Sequence, residues 1–143
     1  MTQPDLQQVK QTLLDAGIEV YRTTGDEIHV AERVRLHIMD SGVRVQVGGG
    51  LAVQFTARSQ RSDSPSAGAD ELFDLVRKAV GSDAKDRGYG EAGADTVHVT
   101  DPVDASKVLD VWHEVTYRKP VSTVDDVVEE VRWALGVDKY VTP

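Results

Sequence analysis

An α+β fold, an antiparallel sheet of about five to seven strands flanked by three helices, is what three features of this chain of 143 residues predict. Residues 34–58 read VRLHIMDSGVRVQVGGGLAVQFTAR, apolar at nearly every second position, the period of a half-buried strand. Stretches near 4–16, 69–80 and 124–135 instead repeat their apolar residues at helical spacing. The length fits one domain, 1–143, able to bury roughly two-thirds of its unfolded surface.

The first helix is expected from Pro4 to Ala16, with proline in its first turn, Asp5 at the positive end of the dipole and Gly17 as its stop. Ile18–Thr23 alternates as a strand, Thr24-Gly25-Asp26 turns, and Ile28 and Val30 alternate with His29. Ala31-Glu32-Arg33 is expected to turn or bulge before the apolar phase resumes at Val34. In the long stretch, Val34, Leu36, Ile38, Val43, Val45, Val47, Leu51, Val53, Phe55 and Ala57 fall on one face. MDSG and the three glycines interrupt it. Gly48-Gly49-Gly50 leads into another strand rather than into a helix, so it reads as a hairpin turn and not a phosphate cradle.

Ser59–Gly68 is polar and reads as a mobile loop. A second helix, Ala69–Val80, has acidic residues at its start, Arg77 and Lys78 at its end, and Gly81 to close it. Ser82–Thr96, rich in glycine, aspartate and alanine, reads as a long surface loop anchored by Tyr89. Val97–Thr100 is a short strand. Lys107–Tyr117 supports both periods; its valine content and Pro120 favour a strand over a helix. Ser122 and Thr123 each stand three residues before an aspartate, and Val124, Val127, Val128, Val131 and Leu135 follow as the stripe of a last helix, ahead of a short tail, Val137–Pro143.

Charge and composition exclude several functions. The net charge of −8 argues against nucleic acid as partner, because phosphate contacts need clustered Lys and Arg. All of it resides in residues 63–143; residues 1–62 are neutral and hold six arginines. No apolar run approaches the ~20 residues of a membrane span. The start, MTQPDLQQVK, lacks the pattern of a signal peptide, so a cytoplasmic address is expected. With no cysteine there is neither disulfide nor thiolate chemistry.

No catalytic motif, cofactor site or metal site is expected. His29 and His37 match no zinc spacing and read as exposed sheet residues. His98 and His113, with Asp101, Asp110 and Glu114, allow a carboxylate–histidine site without a nucleophile at a defined spacing. Asp83–Asp95 lacks the ligand order of a calcium loop. Two features stand out as partner-binding candidates. Arg35, Arg44 and Arg58 project with His37, Gln46 and Gln54 from the polar reverse of the long stretch, and arginine suits carboxylate contacts and interfaces. Trp133 falls opposite the stripe of the last helix, beside Asp126, Glu129 and Glu130, where it would contact a partner or be covered by Tyr140 and Val141.

The order helix, meander, helix, two strands, helix, together with size and acidity, resembles the type III secretion chaperone-like fold group, which includes secretion chaperones and their non-secretion relatives. Four or five strands before the second helix depart from the usual three. The resemblance implies a non-catalytic homodimer that holds a segment of another protein. A chaperone- or adaptor-like binding module is thus the first functional expectation. An immunity or antitoxin-type inhibitor whose acidic half occludes a basic partner is the alternative, and a small-ligand domain or enzyme around His98 and His113 is third.

Overall fold

A computed structural model describes residues 4–143, so the first three residues of the MTQPDLQQVK start lie outside it. The elements run α1 (Leu6–Asp15), β1 (Val20–Thr24), β2 (Glu27–Val34), β3 (His37–Val47), β4 (Leu51–Gln60), α2 (Ala69–Val76), α3 (Ser82–Asp86), β5 (Gly90–Thr100), β6 (Val108–Val121) and α4 (Val124–Leu135). The predicted α+β class holds. Among the described residues six strands hydrogen-bond in the order β1-β2-β3-β4-β6-β5, and, besides a single 3-10 turn at Arg61–Asp63, the helical segments form three runs, α2 and α3 being joined by a wide turn at Arg77–Gly81. By packing the chain divides into two compact units. The first comprises residues up to Phe55 with Arg118–Val137, and the second Thr56–Tyr117 with Asp138–Pro143.

In the first unit α1 begins at a reciprocal capping box. The Asp5 carboxylate accepts from the Gln8 N–H at 2.8 Å, and the Gln8 side chain accepts from the Asp5 N–H at 2.9 Å. The helix ends where Gly17 takes φ +80°, with Ile18 N–H returning to the Leu13 carbonyl at 2.9 Å. Val9 and Leu13 are fully buried, as are Ile28, Val30, Val43, Val45, Val53 and Phe55 of the strands and Val127 and Val131 of α4. The glycines turn β3 into β4 with Val47 opposite Leu51, as expected.

Two expectations for the long stretch are corrected. Ala31-Glu32-Arg33 does not turn; of the two alternatives it is the bulge that holds, the pairing shifting between His29 and Ala31, while β2 continues to Val34 and the turn is Arg35-Leu36, with Arg35 at φ +59°. MDSG does not break the strand either. Asp40-Ser41-Gly42 is a bulge inside β3, where pairing shifts between His29↔Arg44 and Ala31↔Asp40. Buried Ser41 repairs the ladder, its hydroxyl donating to the Val30 carbonyl at 2.6 Å and accepting from the Val43 N–H at 3.1 Å. The core phase therefore starts at Val43. Val34, Leu36 and Ile38 belong to the hairpin beyond the bulge and are exposed, Leu36 to 94%.

In the second unit the helix predicted to stop at Gly81 runs on to Asp86. Gly81 is helical, φ −62°, and it is glycine for packing: a Cβ there would meet the Tyr117 hydroxyl at 2.7 Å. The stop is Gly88 at φ +97°, with Tyr89 N–H on the Ala84 carbonyl at 2.9 Å, the closure used at Gly17. Ser82–Thr96 is thus a helix end plus most of β5, not a loop. Its small and polar residues fit a strand at the edge of the sheet that buries little. Tyr89, the expected anchor, is buried. The Lys107–Tyr117 stretch is strand from Val108 on, with Val111, His113, Val115 and Tyr117 inward. Leu72, Val76, Val80 and Ala84 of the helical run are buried in this unit's core.

Candidate functional site

The candidate arginines do not form one surface. Arg35 occupies the tip of the β2–β3 hairpin and His37 the strand start beside it, both exposed. Arg44 is not free on the face. Its guanidinium forks onto Asp40, Nη1 to Oδ1 at 2.6 Å and Nη2 to Oδ2 at 2.9 Å. The same Oδ1 accepts the Gly42 N–H at 3.0 Å, so the pair clamps the bulge. Burial raises the Asp40 carboxyl, but the Arg44 and Gly42 hydrogen bonds outweigh it and hold the group below its ordinary value.

Beside this clamp lies His29, which the structure buries rather than exposes: it is 7% accessible. The β3 bulge opposite it interrupts simple alternation in β2, so Ile28, His29, Val30 and Ala31 are all buried in a row. Its Nδ1 accepts from Arg22 Nε at 3.3 Å, placing the ring proton on Nε2, which is 3.8 Å from Glu27 Oε1. Burial foremost, then Arg44, lowers its pKa, so the ring is neutral near pH 7. Gln46 donates to Glu27 at 3.0 Å and to Gln54 at 3.3 Å, and accepts from Arg118 Nε at 2.6 Å. This half of the polar face is internally satisfied.

Trp133 points inward. Its ring meets Phe55 edge-on, centroids 5.8 Å apart. The inner side of α4 is Val127, Glu130, Val131 and Ala134, rotated toward Trp133 from the valine stripe, because buried Glu130 has Lys119 Nζ at 3.0 Å as its counter-charge. The tail has a different post: Arg58 N–H donates to the Lys139 carbonyl and Val141 N–H to the Arg58 carbonyl, both at 2.8 Å, a parallel bridge that seats Tyr140 beside Arg58.

That bridge completes the one arginine site of different character. The Arg58 guanidinium lies 3.6 Å from the Trp112 ring centroid and 4.4 Å from that of Tyr140, and Nη2 donates to the Tyr140 hydroxyl at 2.6 Å. Strand alternation puts Thr56, Arg58 and Gln60 of β4 on the same side as Trp112, Glu114 and Thr116 of β6. The 3.0 Å contact of the Thr56 and Thr116 hydroxyls ties the two rows. All six are partly exposed, and Tyr140 is 54% accessible. The helical run of this unit packs on the opposite side, where Phe73 meets His113 edge-on at 5.0 Å. At the margin Asp110 accepts from the Ser62 N–H and hydroxyl at 3.0 and 2.7 Å. Burial pushes the Glu114 carboxyl up and Asp95 adds to this, while Arg58 pulls it down.

Trp112 and Tyr140 are the site residues that sequence reasoning missed. The strand reading of Lys107–Tyr117 contained the signal, since it sets Trp112 and Glu114 opposite the core face. Nothing local announces that Tyr140 docks 82 residues away from Arg58.

The two histidines of the second unit are divided by accessibility. His113 is buried against Phe73, and burial lowers its pKa; His98 is exposed on β5. Asp101 caps the β5–β6 turn, accepting from the Val103 and Asp104 N–H groups. Among the described residues no three His, Asp or Glu side chains converge to hold a metal, and no helix is long and apolar enough to cross a membrane. No family model matches the chain, and no curated protein or solved structure is significantly similar to it.

Proposed function

We propose that this chain is a non-catalytic, protein-binding module, chaperone- or adaptor-like, that receives its partner on the β4–β6 face of the second unit. The observation that carries the reading is Arg58 held between Trp112 and Tyr140 on a sheet face opposite that unit's helices. Trp, Tyr and Arg are the side chains that dominate binding energy when an interface closes over them. The tail bridge and the Tyr140 hydrogen bond hold the group in place beforehand, which lowers the ordering cost of association.

The partner's chemistry follows from the margin of the face. Asp110 and Glu114 flank Trp112 along β6, Asp95 acts on Glu114, and the unit as a whole holds eight basic and thirteen acidic residues. A segment with an apolar side chain for the Trp112–Tyr140 platform and flanking Lys or Arg complements it. The acidic balance also favours the inhibitor reading, in which a basic surface is occluded. Ionic strength separates the two: an inhibitor held by charge weakens steeply with salt, whereas a module anchored on aromatic rings retains most of its affinity.

The test is affinity capture from the native host with mass spectrometry, run in parallel with Trp112→Ala and Arg44→Ala baits. The proposal expects a specific partner that is lost with Trp112→Ala and kept with Arg44→Ala. Retention by Trp112→Ala overturns it. The mass in solution of the free chain decides whether the homodimer implied by the chaperone-like resemblance accompanies this activity.

A further inference from the structure

The helix side of the second unit carries an open groove of about 720 Å³ that the protein-binding reading does not use. It follows the wide turn at Arg77–Gly81, and such turns concentrate at functional positions because the widened turn redirects side chains and loosens the helical ladder. Its floor is aromatic, formed by Tyr89 and Tyr117, and it opens where Gly81 and Gly90 present no side chain. The volume lies within the range of small-molecule sites.

The charges on its walls run against the character of the chain. Arg77, Lys78 and Lys85 line the groove against a single carboxylate, Glu91, in a protein of net charge −8. Arg77 is already committed: it forks onto Glu91 at 2.8 and 3.1 Å, with Asp74 3.8 Å away. The Lys78 and Lys85 side chains are both exposed, and their ammonium groups make no hydrogen bond or ion pair with the described residues. Two free ammonium groups above an aromatic floor form a receptor for a negative head on an apolar body.

We infer that this groove binds a small organic anion, a carboxylate or phosphate carried on an apolar chain or ring, with Lys78 and Lys85 holding the charge and Tyr89 and Tyr117 the carbon body. The site lies on the opposite side of β6 from Trp112, so it can be filled while the sheet face is engaged. Occupancy by the ligand is therefore separable from partner capture.

The test titrates the ¹⁵N-labelled full chain with octanoate, with 1-octanol as the uncharged chain and with inorganic phosphate as the charge alone. Octanoate is expected to saturate one site, moving the amide signals of Gly81, Ser82 and Tyr89–Glu91. 1-Octanol and phosphate should each bind at least about tenfold more weakly, since each lacks half of the recognition. The Lys78→Gln/Lys85→Gln variant alters only exposed side chains; its spectrum should stay folded while octanoate affinity falls about tenfold, with a shallower salt dependence. 1-Octanol binding as tightly as octanoate, shifts confined to other residues, or unchanged affinity in the double variant would each overturn the assignment.

Discussion

Arg44 and Arg58 hold equivalent positions in the sequence pattern, each a polar residue flanked by buried neighbours, Val43 and Val45 or Ala57 and Ser59, on a half-buried strand, yet they do opposite things. Arg44 is consumed by structure: a bidentate pair with Asp40 locks the β3 bulge and screens a buried histidine. Arg58 forms no ion pair with a carboxylate among the described residues and is held by two rings and a hydroxyl, with its face still accessible. The lesson is that the same side chain at the same phase becomes scaffold or recognition element according to what the neighbouring strand and the chain end bring to it. An ion pair satisfies the guanidinium and closes the site. Aromatic stacking organises it and leaves an apolar surface beside it.

The sharpest way to break this contrast is stability. Arg44→Ala strands a part-buried Asp40 carboxylate and removes the bulge clamp, so the free energy of unfolding should drop by about 2 kcal/mol, read as a lower urea midpoint. Should Arg44→Ala leave the midpoint unchanged, Arg44 is as dispensable to the fold as a surface residue and the contrast disappears.

Acid titration probes one buried histidine in each unit. His29 and His113 are each held below the 6.5 of a free imidazole, by burial before any other cause. Between the folded value and 6.5 the unfolded chain therefore binds more protons, so the stability these rings contribute is complete above pH 6.5 and declines as pH falls through that value. The slope is bounded at about 1.4 kcal/mol per pH unit for each ring. Asp40 acts lower. Its folded pKa lies below 3.8, so its contribution is present above 3.8 and lost as pH drops toward the folded value. Denaturant midpoints from pH 7.5 to 5 should fall in the wild type and fall less steeply in His29→Gln, where His113 still titrates.

Arg58→Ser should cost only about 1 kcal/mol, the scale of a part-exposed cation–π contact, while abolishing partner capture. It should also loosen the tail, visible as faster hydrogen exchange at the Val141 amide, which the Arg58 carbonyl accepts. Tyr140→Phe keeps the ring and removes one exposed hydrogen bond. A loss of about 0.5 kcal/mol is expected, with capture retained.

Much of the architecture was legible because strand and helix periods are local. The Val43–Ala57 core, the glycine hairpin and the end of α1 at Gly17 all follow from residues within a few positions of one another. What was not legible depended on distant partners. Gly81 looks like a helix stop until Tyr117 is placed against it. The loop-like composition of 82–96 becomes strand because an edge position asks little of its side chains. Trp133 reads as outward until Glu130 finds Lys119 and turns α4. His29 reads as exposed because alternation in β2 fails opposite a bulge carried by the neighbouring strand, which nothing near His29 in sequence marks. Of the proposed recognition residues Arg58 was visible from the start, whereas the aromatic pair that sets its character is contributed by β6 and the chain end.

The central claim, that recognition is centred on the Trp112 side of Arg58, is tested most directly by tryptophan fluorescence. The chain has two tryptophans, so Trp133→Phe leaves Trp112 as the sole reporter. On titration with the captured partner the account predicts a saturable blue shift of Trp112 emission as its partly exposed ring is covered. Full complex formation, verified by mass in the same sample, with no change in Trp112 emission would contradict it.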